Sequence, residues 1–358
     1  MPFSNSFAKS QSDLPNITGQ VLFELKADRL STQSQGVKAN NAYLNIEPDF
    51  SFNLNKNWSI KTGWRLYPTS TVQTRNQNYP ERTRTFFSQE RGFSPDDTTF
   101  IVEELKVDFK ADELEFFIGK FNPSFGKAYN KYKRIGVFST DITEDYELRE
   151  KIGGGIIASI ENSKISVNTF FNDTTGLSGS INGRSVAKKN DGLAGNTGSF
   201  NSYTITIDGD HLFGVSNLSY NIGYRSLAVD KDVEERARET GYVFGSQYDY
   251  KLGYATTITP FIEFAKISNF TGIQDGDATY ATFALIGKYR GWKASVSNIY
   301  RRITQYQDVA KINDRQLQYS VGYKLKNGLV LDFSRANIKE TPHKGTLYGF
   351  MASYLYQF

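Results

Sequence analysis

The sequence predicts an all-β fold: a transmembrane antiparallel β-barrel of sixteen strands, with short turns at one end and long loops at the other. Three observations predict it. Apolar and polar residues alternate with period two almost from end to end, the mark of half-buried strands. The connections between these segments are short and long by turns. The chain also combines a mean hydropathy of -0.48 with 15% aromatic residues, as expected when one face of each strand meets lipid and the other meets water.

Composition bounds the alternatives. As a soluble protein, 358 residues would suggest two or three domains, but barrels of this length occur as one. There is no Cys, so neither a disulfide framework nor a thiolate site is available, which fits an oxidising compartment. With 42 basic and 38 acidic residues the net charge is +4, too balanced to imply a nucleic-acid partner. No apolar run approaches the ~18 residues of a membrane-spanning helix. The opening MPFSNSFAKSQSDLP lacks the n-region and h-region of an intact signal peptide, although Ser6-Phe7-Ala8 looks like the small-residue end of one. Residues 1–16 therefore read as a leader, either part of a signal-peptide c-region or an ordinary flexible segment, and 17–358 as one barrel.

Taken in order, the first strand falls at 17–28. In 40–54, Ala42, Leu44, Ile46, Phe50, Phe52 and Leu54 alternate with Tyr43, Asn45, Glu47, Asp49, Ser51 and Asn53. After Asn55-Lys56-Asn57, Trp58, Ile60, Trp64 and Leu66 alternate with Ser59, Lys61, Gly63 and Arg65 over 58–68, completing a hairpin. In 99–110 the phase shifts near Glu103 and Glu104, which reads as a bulge. Strands follow at 114–121, 151–160, 164–172, 201–208, 216–226 and 241–250. The next, 257–268, carries Pro260, unusual inside a paired ladder. The last five are 279–289, 292–302, 315–325, 329–338 and 347–358.

Short connections lie at 110–113, 161–163, 290–291 and 326–328. Long ones lie at about 69–98, 122–150, 173–200, 227–240, 269–278, 303–314 and 339–346. Soluble sandwiches have no reason to sort their connections this way, whereas outer-membrane barrels have short periplasmic turns and long extracellular loops. An even strand count puts both termini at the short-turn end. Trp58, Phe109, Tyr250, Tyr289, Trp292, Tyr323, Tyr356 and Phe358 cluster there as a membrane girdle, with Tyr300 and Tyr348 as candidates for the upper one.

The chain ends in LYGFMASYLYQF, where Tyr348, Phe350, Ala352, Tyr354, Tyr356 and Phe358 share a face. With Gly119-Lys120-Phe121-Asn122-Pro123-Ser124-Phe125-Gly126 at a strand-to-loop junction, this ending resembles the general diffusion porins of Gram-negative outer membranes. The resemblance covers the whole chain in architecture. It implies a homotrimer of sixteen-stranded barrels in the outer membrane, in contact with lipid and lipopolysaccharide. Each barrel would be a water-filled channel for small hydrophilic solutes or ions, with the last strand recognised by the assembly machinery. It also implies that the third extracellular loop, here 122–150, folds into the lumen as a constriction, its acidic residues facing a basic cluster on the wall.

That loop supplies Asp141, Glu144, Asp145, Glu147 and Glu150, together with Lys127, Lys131, Lys133 and Arg134. The strand phase turns Lys61, Arg65, Arg225, Lys293 and Arg301 toward the lumen. Singly, each reads as a solvated wall residue; as a set opposite an acidic loop they read as an eyelet, which selects by charge and diameter. Catalytic chemistry is not expected, nor is a cofactor or metal. His211 falls in a short turn and His343 in a long loop at the opposite end, so they cannot share a site. Gly153-Gly154-Gly155 leads into a strand, not a phosphate-binding helix, and Asp275-Gly276-Asp277 is a common turn. A second reading is a barrel used for surface binding or adhesion through 69–98 and 173–200. The permeant solute and the sign of any ion selectivity stay open.

Overall fold

The computed structural model describes residues 14–32, 38–68, 98–129, 137, 142–179, 192–230, 233, 235–306, 309–341 and 343–358. Its strands are β1 (Asn16–Thr32), β2 (Lys38–Asn53), β3 (Trp58–Pro68), β4 (Thr98–Ala111), β5 (Leu114–Phe121), β6 (Lys151–Ile160), β7 (Ser163–Asn172), β8 (Ser202–Gly209) and β9 (Leu218–Leu227). They continue with β10 (Glu239–Tyr248), β11 (Tyr250–Leu252), β12 (Thr256–Ser268), β13 (Asp277–Tyr289), β14 (Trp292–Tyr306), β15 (Val309–Lys324), β16 (Val330–Glu340) and β17 (His343–Gln357). Both β10 and β11 pair with β12, so together they form one stave interrupted at Asp249. Sixteen staves result, each antiparallel to the next, and β17 pairs with β1 to close the barrel. Closure leaves no open sheet edge, the condition for a sheet to cross a bilayer.

The sequence explains the tight ends. Asn55 Oδ1 accepts the N–H groups of Asn57 at 2.9 Å and Trp58 at 3.0 Å, an Asx turn that reverses β2 into β3. Phe358 exchanges two 3.1 Å backbone bonds with Gly19, so the final residue is locked against β1. The expected girdle residues Trp58, Tyr250, Tyr289, Trp292, Tyr356 and Phe358 are all exposed. Trp58 packs on Phe109, Trp292 on Tyr323 and Tyr356 on Phe358.

Two irregularities seen in the pattern have clear forms. The β3–β4 register shifts at Gly63/Trp64, so that Glu104 faces Gly63 while Val102 faces Trp64. Glu103 is the extra residue of a bulge. Pro260 lies in β12 beside the Asp249 break; its missing N–H falls where the neighbouring stave is interrupted, while it stays paired to Leu285 on the other side.

The expected loop lengths hold only in part. β14 runs on to Tyr306 before β15 begins at Val309, and β16 reaches Glu340 before β17 begins at His343. Most of the described residues in the predicted long connections 303–314 and 339–346 are thus strand, and 269–278 contains a 3-10 turn at Phe270–Gly272. His343 begins a strand. These extensions carry polar residues on both faces, which hides their period.

The interior departs from the expectation of a uniformly polar lumen. Inward positions on β1–β4 are mostly charged or amide residues. Inward positions on β9–β14 include Leu227, Val243, Ala265, Ile267, Ala278, Tyr280, Ile299 and Ile303, all buried in one cluster. What they pack against is the loop after β5.

Candidate constriction site

The chain leaves β5 at Phe121 and turns into the lumen. Phe125, Ala128, Ile142, Tyr146 and Leu148 from this segment complete the apolar cluster on the β9–β14 wall. Gly126, the last residue of GKFNPSFG, has φ 85°. A Cβ there would approach Glu263 and the Tyr146 ring to 3.0 Å, so the close approach requires glycine.

Three buried polar anchors fix the loop. Glu263 on β12 accepts the backbone N–H groups of Lys127 at 2.6 Å and Ala128 at 2.9 Å, the Tyr146 hydroxyl at 2.7 Å and the Asn221 amide at 3.3 Å. Arg225, fully buried at 0% exposure, donates to the Tyr146 carbonyl at 2.8 Å, pairs with Glu239 at 2.7 Å and lies 4.6 Å over the Phe125 ring. Arg301, 3% exposed, meets Asp145 of the loop at 2.7 Å, Asp314 at 2.8 Å and Glu340 at 3.1 Å. Tyr280 also donates to Asp145, at 3.1 Å. Burial pushes the Asp145 carboxyl up to about 6, with Arg301 opposing, because one guanidinium serves three carboxylates. Farther along, the Val137 N–H donates to Ser334 Oγ at 3.2 Å, so the loop also meets the β16 wall.

On the opposite side of the lumen the described residues leave a cavity of about 590 Å³, lined by Glu47 and Asp49 of β2, Lys61 and Arg65 of β3, Glu103 and Glu104 of β4, and Tyr129, Glu147 and Arg149 of the loop. The bulge decides its charge, since it turns two consecutive carboxylates inward where regular alternation would turn one. Arg65 sits among them, 2.7 Å from Asp49, 2.8 Å from Glu103 and 3.8 Å from Glu47. Arg149 faces it from the loop, paired with Glu147, with Glu144 at 3.4 Å and with Glu103 at 3.9 Å. Burial raises the Glu147 carboxyl above its ordinary range, with Arg149 opposing.

The residues expected from the sequence therefore separate into groups. Lys61, Arg65 and Glu147 line the cavity, and Glu144 stands behind it, 3.4 Å from Arg149. Lys61 is nearer the turn end, bound to Asp108 at 3.2 Å and Glu115 at 3.5 Å. Arg225 and Arg301 lie under the loop, and Asp145 of the loop meets Arg301, which holds the loop to the wall. Lys293 is inward, eight positions along β14 from Arg301 and away from the loop. Asp141, Lys131, Lys133 and Arg134 lie outside the described residues. Sequence reasoning missed Glu263 as an anchor and Glu47, Asp49, Glu103, Glu104 and Arg149 as lining. The available signal for Glu263 was its run Phe261-Ile262-Glu263-Phe264-Ala265, apolar on both faces around one acid.

His211 stands in the β8–β9 turn and His343 at the start of β17, at opposite ends of the barrel. No protein-family model matches the chain, and no curated protein matches it in sequence. In fold it is similar to OccAB3 of Acinetobacter baumannii at a TM-score of 0.55 and 10% identity, covering 96% of this chain and 100% of that one. OccK5 (OpdH) of Pseudomonas aeruginosa gives a TM-score of 0.56 at 9% identity, covering 96% and 98%. The outer membrane channel DcaP of Acinetobacter baumannii gives 0.54 at 10% identity, covering 95% and 96%. Likeness at this identity carries the architecture.

Proposed function

We propose that this chain is a porin of the Gram-negative outer membrane, passing small hydrophilic solutes or ions by passive diffusion. The observation that carries this reading is the charged cavity of about 590 Å³ left beside a docked loop inside a closed barrel. Its walls solvate a polar solute, while the apolar, aromatic-rimmed exterior suits lipid. The loop 122–150 is the constriction. Arg65, Glu144, Glu147 and Arg149 set its charge, and Arg225, Asp145 and Arg301 set its position. Lys61 and Lys293 line the wall toward the periplasmic end, and Asp141 belongs to the same loop. Trp58, Tyr250, Tyr289, Trp292, Tyr356 and Phe358 sit at the periplasmic interface. The reading assigns the chain no catalytic chemistry.

Reconstitution into planar bilayers should give stepwise conductance; protein that inserts but never conducts would sink the proposal. Its partners are outer-membrane lipid, lipopolysaccharide, two further copies in a homotrimer, and the assembly machinery acting on the last strand. Deleting Phe358 removes two bonds to Gly19 and part of the girdle. It should lower the amount of assembled barrel while leaving the conductance of each assembled channel unchanged.

A further inference from the structure

One side of the barrel exterior carries, among the described residues, a band of cations without a carboxylate beside them. Among the described residues, the outward positions of β14–β17 and β1 include no Asp or Glu, yet they hold Arg302, Arg315, Arg335, Lys339, Lys344 and Arg29, all exposed. Arg315 stands directly opposite Lys339, and Lys339 directly opposite Lys344, across three neighbouring strands. Like charges so placed repel. No carboxylate among the described residues forms an ion pair with any of the six. The outward positions of β6–β8, by contrast, carry no charged residue.

The band has a definite height. Tyr300 stands eight residues above Trp292, and Tyr348 eight above Tyr356. At a rise of ~3.3 Å per residue and a tilt of ~40°, that separation is roughly 20 Å, close to the ~25 Å apolar band of such barrels. Arg315 lies 5.1 Å over Tyr300 with its Nε donating to Asn298 at 2.9 Å, and Arg335 lies 5.8 Å over Tyr348. Their guanidinium groups are thus held at the upper edge of the apolar surface, where phosphate headgroups begin. A planar guanidinium is suited to bind phosphate through two parallel bonds.

We propose that this band binds the phosphates of an outer-leaflet glycolipid, with Arg315, Lys339 and Lys344 at its centre. The inference rests on the outer-membrane reading above and adds a site and a side of the barrel to it. A repulsive row on the bare protein becomes an attractive one under a polyanionic headgroup, and binding is confined to the β14–β1 side.

The test is retention of a bisphosphorylated diglucosamine lipid by the full chain in neutral-lipid nanodiscs, measured by native mass spectrometry. The triple variant Arg315→Gln/Lys339→Gln/Lys344→Gln should retain roughly a hundredfold less, as three cations near a charged surface together contribute about 3 kcal/mol. Its planar-bilayer conductance should be unchanged. Arg290→Gln, at the opposite end, should retain the lipid normally. If the triple variant does not fold, Lys339→Gln alone should show a smaller loss of retention. Equal retention by the variants and the parent, or equal retention of a dephosphorylated analogue, would overturn the proposal. So would displacement by millimolar inorganic phosphate, which would indicate a free-anion site. A parent protein that binds the lipid but does not conduct would overturn the channel reading and leave this one standing.

Discussion

The two sides of the lumen are built from the same kind of strand and do opposite things. On the β9–β14 side, inward residues form an apolar cluster with a few buried polar anchors and are covered by the loop, with Ile267, Ala278 and Ile299 essentially inaccessible. On the β2–β4 side they are charged and face the cavity, with Glu47, Asp49, Arg65, Glu103 and Glu104 within reach of one another. The contrast teaches that lumen orientation does not make a residue part of a passage. Arg225 and Arg301 point inward as Arg65 does, but they are buried beneath the loop. Removing them would disturb a dock, whereas removing Arg65 would disturb a field.

Substitutions can break or sharpen this contrast. The largest effect is expected from Arg301→Met, which strips the shared cation from Asp145, Asp314 and Glu340. Breaking a buried cluster by removing one partner costs about 3–5 kcal/mol. The variant should show a lower unfolding midpoint and frequent current fluctuations as the loop leaves the wall. Quiet single-channel traces at unchanged stability would refute the anchoring role.

Glu263→Ala should come next. It leaves two backbone N–H groups and the Tyr146 hydroxyl without their acceptor, at a cost of about 1–3 kcal/mol for each donor that water does not reach. Single-channel conductance should rise as the loop loosens; the same conductance and stability as the parent would contradict this.

Arg65→Gln addresses the cavity side. Stability should change little, while the reversal potential in a salt gradient shifts toward cations because one positive charge leaves an acid-rich lining. Lys61→Ala should shift it in the same direction by less, since Lys61 lies farther along the wall and is already held by Asp108 and Glu115. A shift toward anions in either variant would show that these groups do not set the field of the passage.

The smallest effect concerns pH. The folded Asp145 carboxyl titrates at about 6, above its ordinary value, with burial as the cause. A raised pKa means that the folded loop binds this proton more tightly than the unfolded chain does. Its contribution to stability is therefore present at low pH and lost as the pH rises through about 6. Moving from pH 7.5 to 5 should quieten loop fluctuations, and Asp145→Asn should remove that dependence; a pH response that survives the substitution would assign it to another group.

The sequence made the membrane half of this molecule legible. Segments such as Trp58–Pro68, Leu114–Phe121 and Lys151–Ile160 keep the expected bounds because lipid on one side enforces strict alternation. Lys311, Asn313 and Asp314 in β15 obey no such rule, so that strand begins six residues earlier than expected, at Val309 against 315. The site was less legible than the fold. Period two tells inside from outside, but whether an inward position meets water or a folded loop depends on contacts distant in the chain, as with Glu263 and Lys127. Runs apolar on both faces, such as Phe283-Ala284-Leu285-Ile286, were the local trace of that contact.

The bulge at Glu103 and Glu104 gives the passage an evolutionary degree of freedom. Residues above it and below it already point correctly on either side of one surplus position. The pairing of β4 with β5 begins only at Leu105. A single-codon deletion there would turn the bulge into a regular ladder and change the lumen charge by one, while every other side chain of β4 kept its orientation. A lineage carrying this barrel can retune its pore by one charge without repacking a strand.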